Sequence, residues 1–218
     1  MHDSKAILVF GGGGHGKAVI DLIRVLPGYH LAGVVDDHLE PGGFILGAEV
    51  LGDSRRLKDL YQQGIHLAAN AVGGIGDIQV RVEVFTRLQA AGFELPTLVH
   101  PTAFVEASAC LEPGAQLFPH AYLGSQASLG FGAILNYGVG VGHDSLIGAY
   151  TNISPGSMIA GNARVGERVL IGMNVTINLG VVVGNGARIG NGATVKGDVP
   201  EGAVVHAGEV WPSGSLPA

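Results

Sequence analysis

LVHPTA FVEASA CLEPGA QLFPHA YLGSQA SLGFGA ILNYGV GVGHDS LIGAYT NISPGS MIAGNA RVGERV LIGMNV TINLGV VVGNGA RIGNGA TVKGDV, residues 98–199, decides the architecture of half the chain. Set out in sixes from Leu98, the second place is valine, isoleucine or leucine every time from Val99 to Val195. The sixth place is always alanine, serine, threonine or valine. This small residue stands two places before the next aliphatic one, so a pair such as Ala103 and Val105 points to one face of an extended segment. Each hexad supplies one short strand and one corner, and three such sides close a triangular coil with small and aliphatic side chains stacked inside. Glycine follows many of the aliphatic residues (Gly124, Gly130, Gly148, Gly166, Gly172, Gly184 and Gly190). Positive φ in tight turns is their expected use, since glycine has no Cβ to clash. The period predicts a parallel β-helix; a purely structural solenoid would show it equally well.

The composition fits such a coil. With 218 residues, 47% hydrophobic and 14% charged, the chain is compact rather than disordered. Its 37 glycines follow no Gly-X-Y period, which excludes collagen. A formal charge of −6 without clusters of lysine or arginine argues against a nucleic-acid partner, because affinity for a phosphate backbone comes from neutralising it. Cys110, the one cysteine, cannot form an internal disulfide, and no signal-like segment precedes the apolar run at 6–10. No apolar run reaches membrane-spanning length, so a cytoplasmic protein without a membrane partner is expected.

The first half alternates differently. An apolar run at 5–10 leads into GGGGHGK and the helix-like AVIDLIRVL, and a second apolar run at 30–35 ends in Asp36 and Asp37. Helical spacing at 54–63 and 77–90, with a strand-like run at 67–72, completes a small open parallel sheet. The expected division is therefore a Rossmann-like α/β domain at 1–96 and an all-β coil at 97–218. Gly11, Gly13 and Gly16 satisfy GxGxxG, and the paired aspartates follow at the distance of the dinucleotide fingerprint. Alone, this predicts NAD. The histidine and lysine at the helix entrance and the short domain point instead to one nucleotide, with bare backbone N–H groups at the helix N-terminus approaching a diphosphate.

Among the coil's histidines, His100, His120, His143 and His206, only His143 is followed directly by a carboxylate, Asp144. It stands just past inward-facing Val141, where the chain turns a corner. A general base near neutral pH is best supplied by imidazole, and an adjacent carboxylate selects its tautomer and stabilises the imidazolium. No His/Cys spacing suggests zinc, and no residue suggests a covalent acyl intermediate.

NYGVGVGHDSLIG at 136–148 resembles the active-site stretch of hexapeptide-repeat sugar O- or N-acyltransferases, which acetylate nucleotide-linked amino sugars or, in related members, sialic acid. GGGGHGK, the VVDD ending at Asp37, AVG at Gly73 and LVHPTA match the same family. The resemblance implies a left-handed β-helix, acetyl-CoA as co-substrate, no metal, a nucleotide-sugar substrate and a homotrimer with CoA between neighbouring coils. It also implies direct transfer, with His143 as base, Asp144 as its supporting carboxylate and Asn136 in the pocket. Gly13, Gly14, His15, Asp36, Asp37 and Gly73 match positions that hold the nucleotide-sugar; Asn152, Gly161 and Met173 match positions along the CoA groove. Two departures stand out: Asn152 replaces a histidine common nine places after the base, and VVHAGEVWPSG replaces a GxPAK-like terminal turn. The rivals are an NAD-dependent reductase, a non-catalytic sugar-binding scaffold, and a serine or tetrahydrodipicolinate acyltransferase.

Overall fold

Residues 5–212 are described by the structure, a computed structural model. The chain divides into two units, Met1–Leu98 and Val99–Ala218. In the first, β1 (Lys5–Phe10) leads to α1 (Gly14–Arg24) and β2 (Tyr29–Val35). There follow β3 (Phe44–Ile45), β4 (Ala48–Gly52), α2 (Leu57–Gln62), β5 (Leu67–Asn70) and α3 (Ile78–Ala90). The sheet order is β3-β4-β2-β1-β5, parallel except for the β3–β4 hairpin.

The run KAILVF forms the central strand because Ile7, Leu8 and Val9 are all fully buried, as a strand covered on both faces requires. Helix α1 buries Val19, Ile20, Leu22 and Ile23 on one stripe and carries Arg24 in its last turn, where a cation suits the helix dipole. β1 pairs with β2 on one side and β5 on the other. Sheet growth therefore reverses at the carboxyl end of β1, where α/β sheets bind ligands, and the glycine loop sits there. The β3–β4 hairpin was not anticipated from the sequence; its two-residue first strand is too short to show alternation.

The second unit is a parallel β-helix. Strands of two residues stack into three sheets of seven, five and seven strands. Neighbours lie one 18-residue coil apart, as in Tyr122↔Gly140 and Gly140↔Met158. The aliphatic series points inward: Leu117, Leu123, Leu129, Val141, Ile153 and Ile171 are fully buried, with Ala115, Ala133 and Ala187 filling the narrower places between them. Each such leucine or isoleucine contributes about 1.5–3 kcal/mol by leaving water. The last coil is shorter than the period implies, since Arg188↔Val204 and Thr194↔Val210 pair at a spacing of 16, and the stack continues to Trp211. Ser213 and Gly214, the end of the departing C-terminal stretch, lie outside the described residues.

The glycines after the aliphatic residues serve a purpose other than the expected one. Left-handed φ falls two places later, as at Gln126 (57°), Asp144 (58°) and Asn174 (53°). Gly124 and its equivalents are needed because consecutive coils touch there. A Cβ on Gly124 would stand 2.8 Å from the backbone nitrogen of His143, and one on Gly130 would stand 2.8 Å from that of Ala149. Asparagine and aspartate accept the left-handed turn position without glycine, which leaves the carboxylate of Asp144 available beside His143.

Candidate functional site

In the first unit the glycines of the loop divide by what surrounds them. Gly11 has φ 112° and lies against the backbone of Ala71; a Cβ on Gly16 would overlap the carbonyl oxygen of Gly11, and one on Gly12 would overlap Ile45 and Leu39. Close packing explains those three. Gly13 and Gly14 have no protein atom within reach of a Cβ and no left-handed φ, so neither packing nor conformation requires glycine there. Both stand at the start of α1, whose first turn has no side-chain cap and no acidic residue. An open backbone at a helix N-terminus without a side-chain cap suits an anion. Gly73 faces this loop, its Cβ direction 3.4 Å from the Cβ of His15.

The paired aspartates have different partners. Asp36 accepts from the N–H of Gly12 at 2.7 Å and from that of His38 at 2.9 Å, tying the glycine loop to the end of β2. Asp37 accepts from the N–H of Ser54 at 2.8 Å and pairs with Arg87 at 2.9 Å. Burial presses the Asp37 carboxyl upward, but the hydrogen bonds from Ser54 and the charge and hydrogen bond of Arg87 outweigh it and hold its pKa below the ordinary carboxylate value. Asp36→Asn should cost about 1–2 kcal/mol, because the amide turns a donor toward one of two backbone donors. The urea midpoint reads this, and an unchanged midpoint would show that the loop holds without the carboxylate.

Two residues passed over in the sequence support Gly73. Asn70, buried at the end of β5, accepts from Val72 N–H at 3.0 Å and donates to the Arg81 carbonyl at 2.9 Å. The Arg81 guanidinium, buried under Phe85, donates to the carbonyls of Asn70 and Val72. Burial lowers the Arg81 pKa to about 9. A buried arginine in an apolar helical stripe leaves no periodic signal, so only the structure reveals this support.

In the second unit His143 and Asp144 project from the corner after the Gly140–Val141 strand. His143 Nδ1 lies 2.7 Å from Asp144 Oδ2, with the two side chains 59% and 44% exposed. A carboxylate accepts, so Nδ1 carries the proton, and in the neutral ring the lone pair then lies on Nε2, in the tautomer suited to a base. The ring rests on Gly161 of the next coil: a Cβ there would lie 2.6 Å from Nε2 and 2.7 Å from Cε1. His143, Asp144 and Gly161 thus form one cluster.

Asn136 stands at the preceding corner of the same coil, where its amide donates to the Ile153 carbonyl at 3.1 Å and reaches Asn152 Oδ1 at 3.4 Å. Asn152 is only 3% exposed and donates to Ser154 at 3.3 Å. Half-exposed Met173 stands one coil further on, three residues past Leu170, the strand partner of Asn152. The coil residues singled out from the sequence therefore fall into two clusters on successive corners. Among the described residues no group of three or more His, Cys, Asp or Glu side chains is placed to hold a metal ion. No helix among them is long and apolar enough to cross a membrane.

Comparison with known proteins gives these features a context. The PglD N-terminal domain profile matches residues 6–88, and the bacterial transferase hexapeptide profile, of six repeats, matches residues 162–197. A histidine-to-asparagine variant of perosamine N-acetyltransferase from Caulobacter crescentus, solved with CoA and GDP-perosamine, is 31% identical with a TM-score of 0.87, over 93% of this chain and 94% of that one. The acetyltransferase domain of PglB from Neisseria gonorrhoeae, solved with acetyl coenzyme A, is 32% identical with a TM-score of 0.86, over 94% of this chain and 98% of that one. WeeI from Acinetobacter baumannii, at 24% identity and a TM-score of 0.72 over 94% and 98%, shares the fold. No curated protein sequence matches the chain.

A Rossmann-like unit followed by a left-handed parallel β-helix of hexads, with a carboxylate-paired histidine at one corner, defines a two-part hexapeptide transferase. The chain belongs to the hexapeptide-repeat sugar acyltransferase family, alongside the perosamine N-acetyltransferase and the PglB acetyltransferase domain. It is an enzyme of the acyltransferase class.

Proposed function

We propose that the protein transfers an acetyl group from acetyl-CoA to the amine of a nucleotide-linked amino sugar, with His143 as general base and no covalent acyl intermediate. The observation that carries this reading is the 2.7 Å bond from His143 Nδ1 to Asp144, which leaves Nε2 to accept a proton. In the proposed reaction Nε2 takes the proton as the acceptor nitrogen attacks the thioester carbonyl, and the imidazolium, held by Asp144, returns it to the departing CoA thiolate. Asp36 and the glycine loop hold the nucleotide, the diphosphate lying over Gly13 and Gly14, with Asp37, His15 and Gly73 beside it. Asn136 belongs to the acyl-transfer pocket, and Gly161 and Met173 line the CoA groove. Asn152, being buried, acts there by holding the Asn136 amide.

The same reading includes a homotrimer in the cytoplasm. Two clusters on successive corners are what an assembly of copies would complete, the Asn136 corner of one subunit meeting the His143 corner of the next. Exposed Phe104, Tyr122 and Met158 on one sheet give an apolar surface for such packing. Free-thiol release from acetyl-CoA, measured with UDP- and GDP-linked amino sugars and with unlinked sugars, tests the activity. Release with a nucleotide amino sugar and amide formation in the product are expected. Release only with hydroxyl acceptors would make the enzyme an O-acetyltransferase, and none with any acceptor would remove the reading. Light scattering of the purified protein should give three times the mass of the chain.

A further inference from the structure

One coil differs chemically from those on either side. At the sixth place of three successive hexads it carries Ser145, Thr151 and Ser157, all fully buried, one near each corner. The coil before has Ala127, Ala133 and Val139 at these places, and the coil after has Ala163, Val169 and Val175. Each hydroxyl makes the same pair of bonds to the coil that follows. Ser145 donates to the Ala160 carbonyl at 3.0 Å and accepts from Ala163 N–H at 3.2 Å. Thr151 bridges Gly166 and Val169 at 2.7 and 3.0 Å, and Ser157 bridges Gly172 and Val175 at 2.7 and 3.1 Å.

In most corners without a hydroxyl beneath them the corresponding carbonyl and N–H bond directly, as Ala127 to Gly124 and Ala133 to Gly130 do at 3.1 Å, and Ala187 to Gly184 at 3.3 Å, the corners at 142–145 and 154–157 being the exceptions. The hydroxyl oxygen is therefore inserted into the turn and props it open. Of the three propped turns, 160–163 contains Gly161, the residue on which the His143 ring rests. The same turn is tied to the histidine by the N–H of Asn162, which donates to the His143 carbonyl at 2.8 Å. We infer that Ser145 is a positioning residue: by holding the 160–163 turn open, its hydroxyl sets the height of the glycine floor beneath the imidazole and so fixes where Nε2 stands.

Without the hydroxyl the turn can close to the direct bond seen at Ala127, carrying Gly161 with it. Ångström-scale displacement of a reacting group is enough to slow a reaction markedly. Ser145→Ala is compatible with the fold because Ala127 and Ala163 occupy the same place in the adjoining coils.

This inference rests on His143 being the base, so its test has one readout that does not depend on turnover. Ser145→Ala should lower kcat about tenfold with KM values within about twofold, and it should shift the His143 imidazole resonances in nitrogen-edited NMR. Ser145→Thr, which keeps a hydroxyl as Thr151 does in its own corner, should restore both. Thr151→Val removes an equivalent bridge from a turn that does not contain Gly161, and should change neither. Unchanged imidazole resonances in Ser145→Ala, or an equal loss of kcat in Thr151→Val, would overturn the assignment. If His143→Ala retained the rate, the general-base role of His143 would fall, whereas the imidazole shift would still decide the positioning.

Discussion

His143→Ala is expected to lower kcat for acetyl transfer by at least about a hundredfold, the range for loss of a general base, with the coil still folded. The side chain is 59% exposed, so its removal opens no cavity, and inward-facing Val141 and Ile147 continue to pack the rungs around it. A substitution at such a surface position changes stability by about 0.5 kcal/mol or less, so the loss of rate can be read as chemistry. Thiol release under saturating acetyl-CoA and sugar nucleotide gives kcat, and thermal unfolding gives the stability. A variant near the parental rate would remove imidazole from the reaction even if the family assignment stood.

Gly161→Ala should be nearly as damaging for an independent reason. Gly161 does not adopt left-handed φ, so alanine suits its backbone, but the new methyl would stand 2.6 Å from Nε2 and 3.0 Å from Cδ2 of His143. The obstructed atoms belong to an exposed side chain that can rotate, so the fold accommodates the methyl and the ring moves. Rotation breaks the 2.7 Å contact with Asp144 and takes Nε2 away from the acceptor. The expected result is a fall in kcat of about a hundredfold with an unfolding transition close to that of the parent. A Gly161→Ala enzyme with unaltered kcat would show that the ring's seat on that glycine is immaterial to turnover.

The coil was legible in the sequence because its core is one-dimensional: every inward position from Val99 to Val195 repeats the same steric demand, and nothing distant alters it. The glycine loop was legible because backbone approach to a helix entrance leaves only glycine at Gly11 and Gly16. The pairing of His143 with Asp144 was readable as adjacency, although its hydrogen bond depends on the left-handed turn at Asp144, which the hexad pattern does not announce. Other features had no signal in a single chain. Gly161 lies one coil beyond the base, and its reason for being glycine is a ring 18 residues earlier in sequence. Ser145 fits the hexad as well as alanine does, so its inserted hydroxyl is invisible to the period. Asp36 reads in the sequence as a ligand contact, and the structure adds that one of its oxygens accepts from Gly12 of the glycine loop while the other accepts from His38 after β2. The shortened last coil shows the limit of counting, since a spacing of 16 keeps strands paired while breaking the six-residue count.

The 18-residue step between paired strands, kept in every coil but the last, makes the prism modular. A duplicated segment of 18 inserted beyond residue 181 would lengthen the stack by one storey and leave every downstream side chain above its old column. An insertion of six would instead transfer all later residues to the adjacent wall, redistributing the outer surface while preserving the interior. Length variation in such a scaffold is therefore quantised: whole storeys extend the wall along which a long co-substrate can lie, and fractions of a storey reassign which wall it meets.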